Sequence, residues 1–228
     1  MTGPGRVVRP DRAERTREAI LVAAERLFAE HGVFAVSNRR VGQAAGQGNT
    51  AVVGYHFGTK DDLVRAIAGK HATEVERARD RLLAEVGAST DLRDWVACLV
   101  RPTTEHLAAL GGPTWYARFI AQVMTDPPLR DIMIEESLDS PTLRRVIDGF
   151  NGCVPDLPLP VRIERGDMAR RLIVHTCADR ERALAEGAPT PRATWEETAT
   201  GLIDAITGLW RAPVTPRSRP GRIDHTTD

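Results

Sequence analysis

Ser37, Arg39, Arg40, Asn49, Thr50, Tyr55, His56 and Lys60 fall within one stretch, SNRRVGQAAGQGNTAVVGYHFGTK, and all can bond to phosphate or to base edges. That is the chemistry of recognition, and the motifs of bond-making are missing: no P-loop, no dinucleotide glycine fingerprint after a strand, no G-x-S-x-G and no H-E-x-x-H. The six histidines are scattered; His71 and His175 can serve as ligands or acid–base groups, or simply be packed or solvated. Glu135 and Glu136 beside Asp139 suit an exposed acidic face better than a metal cluster. Cys98, Cys153 and Cys177 lack the paired spacing of a zinc site and read as reduced, mostly packed thiols, with redox sensing at Cys153 as the alternative. No enzyme activity, cofactor or metal is implied.

Two short helices must hold these side chains. Val41, Ala44 and Ala45 give the first an apolar side, Ser37 caps it, and its free N–H groups suit a phosphate. Gly46 and Gly48 flank a turn. Asn49 can accept from the backbone N–H two or three residues on, so the second helix is expected to begin there. Val53 and Phe57, four apart, must face inward, leaving Thr50, Ala51, Gly54 and Tyr55 outward on a surface suited to the major groove. Gly54 has two readings, close approach of the backbone to DNA or a tolerated weak spot.

Upstream, Ile20, Leu21, Ala24, Leu27 and Phe28 recur at the spacing of one helix face, closed by Gly32. Downstream, Thr59 and Asp62 form a capping box for a helix running to about Val86, long enough to belong to two domains. The remainder reads as helix: Asp91 to Leu110 bent by Pro102, Thr114 to Thr125, two shorter pieces to Phe150 around Pro141, Arg162 to Glu186, and Thr194 to Arg211. The fold class is all-α.

Residues 1–70 hold 11 Lys and Arg against 7 Asp and Glu, and residues 71–228 hold 20 against 24, so the neutral chain is basic at the helix-pair end. Residues 1–10 read as a disordered basic arm, able to enter a minor groove or merely solvated, and residues 212–228 as a disordered tail. No long apolar run or leader-like segment is present, which leads to an expected cytoplasmic location with no membrane partner.

From Arg17 to about Ile67 the chain, with Ile20, Leu21, Ala23, Ala24, Leu27, Phe28 and Gly32, then Ala45-Gly46, then Tyr55-His56-Phe57 leading to Lys60, resembles the TetR family of bacterial transcriptional regulators. It departs from the family pattern in a turn one residue longer, Gln47-Gly48, and in Gly54 where a tyrosine is common. The resemblance implies a three-helix DNA-binding domain over residues 11–58 and a ligand-binding and dimerisation domain over 59–211. It implies phosphate contacts from Ser37, Tyr55 and Lys60, an N-cap at Asn49, and base contacts from Thr50, Ala51 and Val52, with Arg39 or Arg40 adding one more.

It further implies an effector pocket between about residues 95 and 150, where Trp95, Trp115, Tyr116, Phe119 and Met124 concentrate; Arg118, His106 and His175 are its polar members, and core packing is the competing role for each. The function implied is a repressor, homodimeric on a palindromic double-stranded operator and released by a small apolar effector. A non-specific architectural DNA binder, and a helical ligand-binding protein or enzyme with an incidental helix pair, are the alternatives. Two apolar faces, Met168, Leu172 and His175 on one helix and Ala199, Leu202, Ile206 and Leu209 on the last, are expected to meet their copies in a four-helix interface.

Overall fold

The computed structural model describes residues 12–49 and 51–215. The basic arm, Thr50 and the tail beyond residue 215 lie outside the described residues. The elements are ten helices among the described residues, without a strand: α1 (Arg12–His31), α2 (Asn38–Ala44), α3 (Val52–Phe57), α4 (Lys60–Val86), α5 (Leu92–Leu110), α6 (Tyr116–Thr125), α7 (Pro127–Leu138), α8 (Pro141–Cys153), α9 (Leu159–Glu186) and α10 (Trp195–Arg211). No helix among them is long and apolar enough to cross a membrane.

The apolar periodicity of α1 is realised in full: Ile20, Leu21, Ala24, Leu27 and Phe28 are all buried, and Gly32 ends the helix at φ +84°. Helix α4 starts on the expected reciprocal cap, Thr59 accepting from the Asp62 N–H while the Asp62 carboxylate accepts from the Thr59 N–H. The prolines that read as breaks act as starts. Pro127 and Pro141 occupy the first helical positions of α7 and α8, where no N–H is needed, behind the capping side chains of Asp126 and Ser140. Pro102 stands buried inside α5, which runs through it as one helix.

The side chains sort into two cores. The first joins α1, α2, α3 and the start of α4 with Phe119 and Val123 of α6 and Leu129 and Met133 of α7. The second joins α5, α8, α9 and α10 with Leu83 near the end of α4 and Ala117 of α6. Helix α4 therefore contributes to both along its length, and α6 to both across its width.

Carboxylates and guanidiniums hold the helix ends. Glu181 of α9 accepts from the Thr114 hydroxyl, the Ala117 and Arg118 backbone N–H groups and Arg118 Nε, and so caps α6 from outside. Glu76 of α4 accepts from Ser140 and Thr142 at the start of α8, and these bonds help hold its carboxyl below the usual range although burial works against them. Arg165 donates to the Trp210 and Ala212 carbonyls at the end of α10.

The expected self-association faces need one correction. Ala199, Leu202 and Ile206 of α10 are buried within the chain, because that face packs on α5, so it is not free to meet a copy. Met168 and Leu172 of α9 each keep 39% of their surface exposed.

Gly149 in α8 lies under Trp95, whose Nε1–H donates to the Ser89 carbonyl at 2.9 Å and fixes the ring. A β-carbon at residue 149 would sit 2.2 Å from ring atoms of Trp95. Gly149→Ala is therefore expected to destabilise the chain by about 1–3 kcal/mol in urea unfolding despite the better helix propensity of alanine, since it overpacks a core; an unchanged or raised midpoint would contradict this packing.

Candidate nucleic-acid interface

Helix α2 begins at the expected residue, with Ser37 Oγ accepting from the Arg40 N–H at 3.2 Å. Arg39 is exposed beside it, and the Arg40 side chain turns back to His31, Nη2 to Nε2 at 2.7 Å. Arginine only donates, so His31 Nε2 accepts in this contact.

Asn49 needs correcting as a helix cap. Its Oδ1 accepts from the Ala51 N–H at 2.9 Å, the bond expected of it, but that bond closes a turn; α3 begins later, at Val52, with Ala51 at the cap position and no side chain capping it. Val53 and Phe57 face inward, 1% and 8% exposed. Ala51, Gly54 and Tyr55 face outward, with Tyr55 86% exposed and its ring edge-on to His56, which is half-buried. Val52 differs from the expectation of a base contact. It is half-buried and packs against the first core, which claims part of that side chain. Thr50 lies outside the described residues.

Lys60 does two things at once. Its Nζ donates to the Val33 carbonyl at 3.1 Å and the Val36 carbonyl at 2.6 Å, which leaves one N–H of the ammonium for a phosphate. Burial lowers its pKa from the ordinary lysine value. The lysine thereby fixes the loop between α1 and α2, which leads into Ser37. Phe34 in that loop is 63% exposed, 5.8 Å from the ammonium. Sequence reading passed it over because a single aromatic residue outside any helical stripe carries no periodic signal. Arg17 lies over the Phe57 ring at 4.6 Å and closes the base of α3.

The residues expected to enclose an effector pocket are brought together only in part. His106 and Tyr116 meet, with His71 between them. Trp95 fills the second core, Phe119 the first, and Trp115 and Met124 pack half-buried against the first. Arg118 has its partner within the chain, Glu181, so it is not waiting for a ligand. His175 stands exposed on α9. The reason is geometric: α6 turns successive residues toward different cores, so a cluster in sequence does not become a cluster in space. A cleft of about 440 Å³ does lie in this half, bounded by Leu107, Pro113, Thr114, Glu181, Leu184 and Trp195, and none of the expected residues lines it.

Residues 20–67 match the model of the bacterial regulatory proteins of the tetR family, and residues 97–208 match that of a tetracyclin repressor-like C-terminal domain. The transcriptional repressor AcnR of Corynebacterium glutamicum is 37% identical over 65 residues, 28% of this chain and 34% of that protein. The transcriptional dual regulator CecR of Shigella flexneri is 27% identical over 161 residues, 62% of this chain and 67% of that protein. The chain thus spans from about a third to two thirds of the length of these curated relatives. Among solved structures, AmtR of Mycobacterium smegmatis shares the fold, with a TM-score of 0.53 and 21% identity, over 90% of both chains.

The two carbonyl bonds of Lys60 generate a test free of DNA. Lys60→Met is expected to lower stability in urea by about 1–3 kcal/mol, because two partly buried carbonyls lose their donor; a variant as stable as the parent would leave Lys60 no structural role.

Proposed function

We propose that the chain, which belongs to the TetR family of bacterial regulatory proteins, is a DNA-binding transcriptional repressor, bound as a homodimer to a palindromic operator and released by a small apolar effector. Residues 11–58 form the reading head in this account, and residues 59–211 bind effector and the second subunit. Ser37, Arg39, Tyr55 and the free N–H of Lys60 hold phosphates, while Thr50, Ala51 and Gly54 face the bases. Ala51 offers only an apolar contact, such as with a thymine methyl.

The observation that carries this reading is the first core, in which Phe119 of α6 and Phe28 of α1 stack with ring centroids 6.4 Å apart. An element of the C-terminal half is thereby built into the support of the recognition helix. The cleft beside Leu107, Pro113 and Trp195 borders the Gly111–Thr114 segment, which leads directly into α6. A molecule that binds there more tightly in one position of α6 than in another shifts the reading head by that difference in affinity and by no more. Trp195 lies at that cleft and serves as the optical reporter.

Selection of duplexes from a random pool is expected to return a palindrome; recovery of sequences without a shared motif would favour a non-specific architectural binder, and recovery of none would end the DNA-binding reading. On the selected duplex, Gly54→Ala separates a backbone in close contact from a tolerated weak spot. A β-carbon at residue 54 would meet nothing within 4 Å in the free chain, so the fold should gain up to about 1 kcal/mol while binding weakens by about 1 kcal/mol or more. Equal binding by the parent and the variant would remove Gly54 from the interface.

A further inference from the structure

His71 of α4 is 3% exposed and joins two other titratable groups in a line. Its Nε2 lies 3.0 Å from Glu25 Oε2 of α1, itself 7% exposed, and its Nδ1 lies 2.8 Å from His106 Nε2 of α5. Tyr116 of α6 stacks on the His71 ring with centroids 3.9 Å apart. Four helices, one from the reading head and three from the rest of the chain, therefore meet at one imidazole.

The protons in this line follow from its partners. A carboxylate only accepts, so His71 Nε2–H donates to Glu25; neutral His71 then presents a bare Nδ1, which accepts from His106 Nε2–H. One added proton can be taken up if it sits on His71 Nδ1 and His106 moves its own proton to its other nitrogen. A second cannot, because two N–H groups would then face each other at 2.8 Å.

We propose that the line Glu25–His71–His106 is a proton-sensitive latch, which ties the reading head to α4 and α5 while at most one of its histidines is protonated and releases it, with loss of operator affinity, when acidification protonates both. The other groups facing it are Glu74 and Arg79 on α4 and, behind Tyr116, Cys177 of α9. Burial, followed by the neighbouring His71, holds the pKa of His106 below the ordinary histidine value, against the pull of Glu74 and Glu25. The closed latch thus binds fewer protons than the open one. Its stabilisation is present above the ordinary histidine range, near pH 6.5, and is lost as pH falls through and below it.

The operator half of this proposal rests on the DNA-binding reading above, and its test has two arms on the full chain. With a duplex taken from the random pool, Kd of the parent is expected to rise by at least about fivefold between pH ~7.5 and ~5.5, while His106→Gln, which keeps a donor for His71 but cannot titrate, stays within about twofold or tightens. The same pH dependence in both overturns the latch. In the parent without DNA, the amides of Ala24 and Phe28 in α1 should shift in NMR together with the ring protons of His106 as pH falls. Rings that titrate while those amides stay put overturn the latch independently of any variant's folding. Failure of every duplex at both pH values overturns the DNA-binding reading instead, and the ring titration still decides the latch.

Discussion

Phe28 and Phe119 have no exposed surface, and their stacked contact is the constraint on which the rest depends. A three-helix reading head of this size has too little interior to be rigid alone. Here its core is completed by α6 and α7, elements placed far along the chain, so the orientation of α3 is set partly by residues that never approach DNA. A close-packed interior passes displacement on without absorbing it, which makes α6 the element through which the two halves must communicate.

The polar framework holds α6 from its other side. Glu181 is 2% exposed and receives four donors, all of them from α6 and its approach, so the start of α6 is pinned to α9 while its middle is pinned to α1. Removing one partner from such a buried charge costs several kcal/mol, so α6 moves with α9 and not past it. The cleft at Pro113 and Trp195 adjoins this junction. His71 adds a second tie a turn away, with Glu25 and His106 as its two partners.

Much of this was legible from the residues. The stripe in α1, the Ser37 and Thr59 caps, the inward pair Val53 and Phe57, and the α4 helix shared by both halves all follow from local spacing, and local spacing decides them. Partnerships distant in sequence were not legible. Glu181 and Arg118 are 63 residues apart and Glu25 and His71 are 46 apart, and nothing in either local pattern marks the match. The aromatic segment from Trp95 to Phe150 misled for the same reason, since it divides between two cores instead of enclosing one space. The α10 face read as a meeting place for two subunits because its apolar stripe does not say whether the partner is another chain or α5. Val52 was assigned to the bases on position alone, without the packing on the first core that draws it inward.

The central claim is that α6 governs the recognition helix through the Phe28 contact. The direct measurement is the affinity of Phe119→Leu for the selected duplex, made under conditions where circular dichroism and urea unfolding show the variant fully folded. Residue 119 lies in the core and not at the interface, so an account in which α6 positions α3 predicts weaker binding, by about fivefold or more, with the reading head intact. Binding equal to that of the parent, in a folded variant, would contradict it.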